Sequence, residues 1–321
     1  MLANKFARAL LIALGANLFL TSIDTRAAAP MARTEPPGFY RMMLGDFEVT
    51  ALSDGTLPIA VDTLMTNTTP AKVQKALDRW YLKEPVPFSV NAYLINTGDK
   101  LVLIDAGTGA FFGPTLGKLA DNLRASGYRP EQVDEIYITH MHADHIGGLV
   151  TGGAIAFPSA IVRGDQHDVD YWLSQAKMDA APKDDQTAFK NAMLCINPYI
   201  AAGKFRPFDG DTDLVPGIKA KASPGHTPGH TTYVIESKGE KLVLWGDLMH
   251  VAAVQFADPS VTIKFDSDSK AAAVQRKRAY ADAASHGYWV AAAHLPFPGI
   301  GHLRTEGSGY AWLPATYAPL P

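Results

Sequence analysis

Three histidines and one aspartate fall within six residues, at His140-Met141-His142-Ala143-Asp144-His145, followed by Ile146-Gly147-Gly148. Residues 133–138, just before them, are rich in β-branched and aromatic side chains and predict a strand running into a loop. At a strand end residues i and i+2 project the same way, so His140 and His142 can approach one ion together. Asp144 and His145, where the chain turns into a helix, can aim at a second. Imidazole nitrogen and carboxylate oxygen suit zinc, and also manganese, iron and cobalt. Four such side chains this close together fit metal binding better than packing.

Strands and helices alternate twice around this cluster. Strands are expected at 47–52, closed by a Ser53-Asp54-Gly55 turn, and at 88–96 and 100–104, paired around Thr97-Gly98-Asp99. Further strands are expected at 154–162, 205–208 and 214–222, in a hairpin 231–235 with 241–245, and at 288–293. Helices are predicted at 71–80, 116–126, 165–178, 187–196 and 269–285, the last stopped by Gly287. Arg276-Lys277-Arg278 in that last helix reads as a solvated face, and the C-terminal tail as irregular. The pattern predicts an extended arm over 30–45 and one domain over 46–321, built from two similar α/β halves.

Two fragments supply what the first cluster lacks. Ser223-Pro224-Gly225-His226-Thr227-Pro228-Gly229-His230 is a glycine-punctuated loop with His226 at its apex, and a strand over 242–246 ends at Asp247, whose carboxylate can bridge two cations. His294 stands at the end of the last strand. Asp105, at a strand end before Gly107 and Gly109, can accept a hydrogen bond from a ligand histidine or cap a turn and helix.

In order and placement, His140-x-His142-x-Asp144-His145, His226, Asp247 and His294 resemble the binuclear hydrolases of the metallo-β-lactamase superfamily. The resemblance implies an αββα sandwich, two mixed β-sheets with helices on the outer faces. It also implies two divalent ions, zinc foremost: His140, His142 and His226 on the first, Asp144, His145 and His294 on the second, and Asp247 bridging. The superfamily pattern takes the first histidine of the Gly-His-Thr-Pro-Gly-His run as ligand, so His230 is expected behind the ligands. His167, His286 and His302 have no motif support.

Two such ions lower the pKa of a shared water to near neutral and polarise the substrate oxygen. There is no Gly-x-Ser-x-Gly motif, and Cys195 has no activating context. Hydrolysis is the implied chemistry. The run from Ala293 to Arg304 is most similar to methyl parathion hydrolases and dihydrocoumarin-type lactonases, whose aromatic side chains hold the aryl part of the substrate. By that resemblance Phe112, Trp172 and Phe189 form the pocket wall. His250, Ile263 and Phe265 keep bulk where organophosphate-degrading members carry smaller groups, and His250 lies where lactonases place a group against the substrate. Asp247 and His250 are therefore the expected catalytic residues, acting on a neutral aryl lactone or ester. Phosphotriester hydrolysis ranks second. A β-lactamase reading lacks an evident carboxylate-binding lysine, export sits poorly with a thiolester substrate, and a non-enzymatic metal-binding protein would be expected to lose ligands.

Lys5 and Arg8 precede an apolar run over 9–20 and the small residues Ala27-Ala28-Ala29, the pattern of a signal peptide over 1–29 and of a periplasmic or secreted product. Twelve apolar residues are short of the roughly 20 that span a bilayer. A net charge of −3 with no basic run argues against nucleic acid as partner. One cysteine permits no internal disulfide, so stability must come from an ordinary core. A homodimer is implied by the resemblance alone.

Overall fold

The computed structural model describes residues 29 and 31–320, with a compact unit beginning at Pro37. The signal peptide expected over 1–29 lies, except for Ala29, outside the described residues. Among the described residues no helix is long and apolar enough to cross a membrane.

Successive side chains on a strand face opposite ways, and Val86–Asn96 uses both faces. Ala92 and Leu94 pack into a core that includes Leu119 and Leu123 of the helix Leu119–Ala125 and Phe189, Ala192 and Ile196 of the helix Gln186–Ala201. Tyr93 and Ile95 point instead into a core shared with a second sheet. The neighbouring strand Leu101–Ile104 divides likewise, Leu101 and Leu103 outward, Val102 and Ile104 inward. A strand covered on both faces reads as an unbroken apolar run.

The first sheet has six strands in the order Phe39–Leu44, Phe47–Ile59, Val86–Asn96, Leu101–Ile104, Glu135–Tyr137, Ile161–Arg163. The first four are antiparallel and the last two join in parallel. The second sheet has seven, in the order Thr212–Val215, Ile218–Ala222, Thr231–Ser237, Glu240–Leu244, Trp289–Ala291, Ile300–Glu306, Gly309–Pro314. Its one parallel pair joins Glu240–Leu244 to Trp289–Ala291. Val49, Ala51 and Ile104 of the first sheet meet Tyr233, Leu242 and Ala291 of the second, so the sheets lie face to face. On the outer face of the second, Val243 and Val290 pack with Tyr280 and Ala283 of the helix Ser269–His286. This is the αββα sandwich, with both sheets mixed.

Several elements differ from the sequence reading for physical reasons. The expected arm contains an edge strand, Phe39–Leu44, paired along its length with Phe47–Leu52. Ser53-Asp54-Gly55 makes a bulge and the strand continues to Ile59. Asp54 is buried there and accepts hydrogen bonds from Thr108 N and Oγ1, Gly117 N and Leu119 N, pinning the loop after Ile104. The helix expected at 165–178 breaks after Trp172 and restarts at Gln175, with the Ser174 hydroxyl capping the second piece. Residues 205–208 make only isolated bridges, and the C-terminal tail forms the hairpin of Ile300–Glu306 with Gly309–Pro314. Arg276 is not solvated: it is fully buried and donates to the carbonyls of Leu248, Pro259 and Val261.

One parallel pair in each sheet delivers its carboxyl ends to the same edge of the sandwich. Leu101–Ile104 and Glu135–Tyr137 run into Asp105 and His140, and Glu240–Leu244 and Trp289–Ala291 run into Asp247 and His294. Open α/β sheets place their sites outside such ends. Close approach of backbone is part of the arrangement: a Cβ on Gly147 would lie 2.1 Å from Thr108 O, and on Gly148 2.0 Å from Ala106 O. Only glycine lets the turn after His145 seat against the loop after Asp105.

Candidate metal centre

The structure brings all seven proposed ligands together as two groups sharing one aspartate. His140, His142, His226 and Asp247 form one, Asp144, His145, His294 and Asp247 the other, with donor atoms within 4.8 Å of one another in each. In the first group His142 Nδ1 lies 3.1 Å from His140 Nε2 and 3.0 Å from His226 Nε2. In the second, Asp247 Oδ1 lies 3.1 Å from His145 Nε2 and 3.1 Å from His294 Nε2. Asp247 is 3% exposed, so its charge is answered by the surrounding histidines rather than by water.

The outward ring nitrogens settle what the inward ones offer. His145 Nδ1 donates to Asp105 Oδ2 at 2.9 Å, His226 Nδ1 to Asp266 Oδ1 at 2.9 Å, and His294 Nδ1 to the Ser89 carbonyl at 2.8 Å. Thr139 Oγ1 donates to Asp105 Oδ2 and accepts from His140 Nδ1 at 3.0 Å. When these four rings are neutral, their one proton lies outward and their lone pairs face inward, the tautomer a metal ligand needs. His145 Nε2 and Asp247 Oδ1 are buried without a hydrogen-bond partner. Buried polar atoms are rarely left so, and a pair of divalent cations fits this donor set.

Asp105 thus does orient a histidine, with backbone at φ +62°, left-handed for a non-glycine residue. His230 stands behind the ligands: its Nε2 accepts from Asp247 N at 3.1 Å and its Nδ1 donates to Ser223 O at 3.2 Å. His167 hydrogen-bonds Asp165, His286 is exposed near a helix end, and His302 lies against Trp289, ring centroids 3.8 Å apart and tilted by 35°, all away from the centre. Cys195 is buried, and burial pushes its thiol up to about 12.

Electrostatics divide the imidazoles. Burial opposes protonation of His145, but Asp247, Asp144 and Asp105 outweigh it and hold its pKa well above the ordinary 6.5. His226 likewise rises against burial to about 9, through Asp247 and Asp266. Burial, with neighbouring imidazoles, lowers His142 to about 3 and His230 to about 3. Burial would raise Asp247, yet the surrounding histidines hold it well below 3.8. A sign follows for the metal-stripped protein. His226 favours the folded state below 6.5, and that contribution is lost as pH climbs through 9; His142 and His230 disfavour it as pH falls from 6.5 toward 3. Denaturation midpoints of stripped protein should therefore peak near pH 6.5 and fall on both sides, a profile that a monotonic curve would refute.

A cavity of 1050 Å³ opens onto the centre. Phe112, Trp172, Phe189, His250 and Phe265 line it, together with Leu57, Phe88 and Tyr171. Phe112 and Phe265 are half-exposed at its rim, while Trp172 packs edge-on against His142 at 5.2 Å. Ile263 does not line the cavity: it is fully buried with Val61, Met65 and Val261, and shapes the wall only from beneath. His250 is buried, 3.1 Å from Asp247 Oδ2, with both ring nitrogens unpartnered and its backbone N–H held by Gln255 Oε1 at 2.7 Å.

Two side chains that serve the centre have no motif. Asp266 holds His226. Asp168, 1% exposed, ties both loops of the first group by accepting from Met141 N at 3.0 Å, Thr227 Oγ1 at 3.0 Å and Gly229 N at 2.6 Å. Asp266 precedes Asp268, which caps the following helix, and in sequence the pair reads as one capping stretch.

Comparison with known proteins agrees with this geometry. The sequence profile of the Metallo-beta-lactamase superfamily matches residues 85–285. The chain belongs to that superfamily. A crystal structure of hydrolase AbOPH in the beta lactamase superfamily superposes with a TM-score of 0.85 at 37% identity, over 89% of this chain and all of that one. AidC, a dizinc quorum-quenching lactonase in complex with its product N-hexanoyl-L-homoserine, superposes with a TM-score of 0.82 at 26% identity, over 88% and 99% of the two chains. N-acyl homoserine lactonase of Bacillus cereus is 27% identical over 203 residues, covering 57% of this chain and 73% of that protein. The metallo-beta-lactamase fold, the double donor cluster and these relatives make the chain a metal-dependent hydrolase.

Proposed function

We propose that the substrate is a neutral lactone or aryl ester of the dihydrocoumarin kind, with its apolar part along Trp172, Phe189 and Phe265. The observation that carries this is a donor set for two metals at the floor of a cavity walled mainly by aromatic and aliphatic side chains. The relatives that are lactonases support it. His140, His142 and His226 would hold one ion, Asp144, His145 and His294 the other, and Asp247 both; zinc is the proposed metal. Such ions supply Lewis acidity and an activated water near neutral pH.

The chain's own residues do the rest. Asp105, Asp266 and Ser89 O fix the tautomers, and the aromatic wall excludes water and orients the ring. Burial lowers His250 to about 4, so its imidazole is neutral at neutral pH and can donate a ring N–H hydrogen bond, without giving up the proton, to the oxygen on which charge develops. His250→Leu should lower lactone kcat by about 100-fold or more while keeping both ions, and should shift the lactone-to-phosphotriester ratio. Undiminished lactonase activity would remove His250 from the mechanism.

The reading is tested on zinc-loaded protein with dihydrocoumarin, N-hexanoyl homoserine lactone, methyl parathion and a cephalosporin. Lactones are expected to turn over best. Rapid methyl parathion hydrolysis with no lactone opened would make the protein a phosphotriesterase instead.

A further inference from the structure

The turn 263–267 faces two ways. Its Phe265 stands 45% exposed on the cavity, with its ring 6.2 Å from that of His250. Its Asp266 side chain is fully buried, with Oδ1 accepting from His226 Nδ1 at 2.9 Å and Oδ2 from Ile263 N at 3.3 Å, which closes the turn. Two backbone bonds join the same stretch to the His226 loop: Ser267 N to His226 O at 2.9 Å and Asp268 N to Gly225 O at 2.8 Å. From behind, Arg276 clamps the Pro259 and Val261 carbonyls and lies 4.0 Å from Asp266 Oδ2. The other outward acceptors differ. Asp105 follows an interior strand, Thr139 is adjacent to its own histidine, and Ser89 gives only a carbonyl. Asp266 alone among them belongs to a turn that also supplies a cavity wall.

We infer that Asp266 is a positioning residue coupling the His140, His142, His226 and Asp247 cluster to the substrate wall at Phe265. An ion on His226 Nε2 fixes the ring and strengthens the Nδ1 hydrogen bond to Asp266, and the carboxylate so held tightens the turn through Ile263 N. By reciprocity, a turn that loosens weakens the ion. Substrate selection at Phe265 is then complete only when the first cluster is filled. This deepens the proposed function and rests on its reading of the two groups as a metal site.

Two measurements test it: amide hydrogen exchange over 261–268 with and without zinc, and zinc retention against graded chelator. In the parent protein zinc should slow exchange over 261–268 by about 10-fold or more, and in Asp266→Asn it should not. Asp266→Asn should release one of its two ions at roughly 10- to 100-fold less chelator than the parent, whereas Phe265→Ala should hold both like the parent and raise KM. Exchange in the parent that ignores bound zinc would overturn the coupling and leave the metal reading standing, as would parental zinc retention by Asp266→Asn. Failure of the parent to bind zinc at all would overturn both. The comparison within the parent decides the matter even if Asp266→Asn does not fold.

Discussion

Asp247→Asn is expected to empty both metal positions and to lower kcat/KM by more than about 1000-fold, some 4 kcal/mol of transition-state stabilisation. The reason lies in where its two oxygens point. Oδ1 faces His145 and His294 Nε2, while Oδ2 lies 3.3 Å from His226 Nε2, 3.7 Å from His140 Nε2 and 3.1 Å from His250 Nε2. An amide keeps the shape but loses the charge, and turns one of the two oxygens that could hold a cation into an NH2 group that cannot. Because the side chain is 3% exposed, water cannot repair the mismatch. Metal per chain by mass spectrometry and kcat/KM on dihydrocoumarin measure the two effects. A variant that kept two ions and activity within tenfold of the parent would show that Asp247 bridges nothing.

The candidate ligands were legible because a strand end and a tight turn allow few spacings. His140 and His142 must alternate, and Asp144 and His145 must fall where the chain turns. The residues that orient those ligands obey no such rule. Asp266 meets His226 across 40 positions and Asp168 meets Gly229 across 61, so only the folded chain pairs them. Asp105 was legible because it ends the strand beside the one that delivers His140. Misreadings had one common cause, local chemistry that serves a distant partner. Ser53-Asp54-Gly55 has turn composition, yet Asp54 spends its carboxylate on the loop 108–119. The edge strand Phe39–Leu44 follows a proline-rich stretch, and its pairing with Phe47–Leu52 draws it into the sheet. Pocket residues were least legible, since wall and core draw on the same apolar side chains: Phe189 lines the cavity and Ile263, equally apolar, does not.

Arg276→Met is expected to cost about 3–5 kcal/mol, the range for breaking a buried charged network by removing one partner, and to lower the melting temperature by about 10 °C. In sequence Arg276 is the first of three basic residues in a helix. In the fold it is fully buried, with Nε on Leu248 O at 2.7 Å and Nη1 on Pro259 O at 3.2 Å and Val261 O at 2.6 Å. Those carbonyls bracket the stretch that holds His250 and Gln255, so the guanidinium draws both ends of that stretch onto the helix Ser269–His286. Methionine fills most of the volume but leaves the Leu248 and Pro259 carbonyls without their donor and Val261 O with Gln255 Nε2 alone. Lys277 and Arg278 are exposed, and their replacement by alanine should change stability by no more than about 0.5 kcal/mol. Thermal denaturation of the three metal-loaded variants separates the cases. If Arg276→Met melted within about 2 °C of the parent, the buried guanidinium would be no more than a tolerated filler, and the anchoring of the His250 stretch would have to come from Gln255 alone.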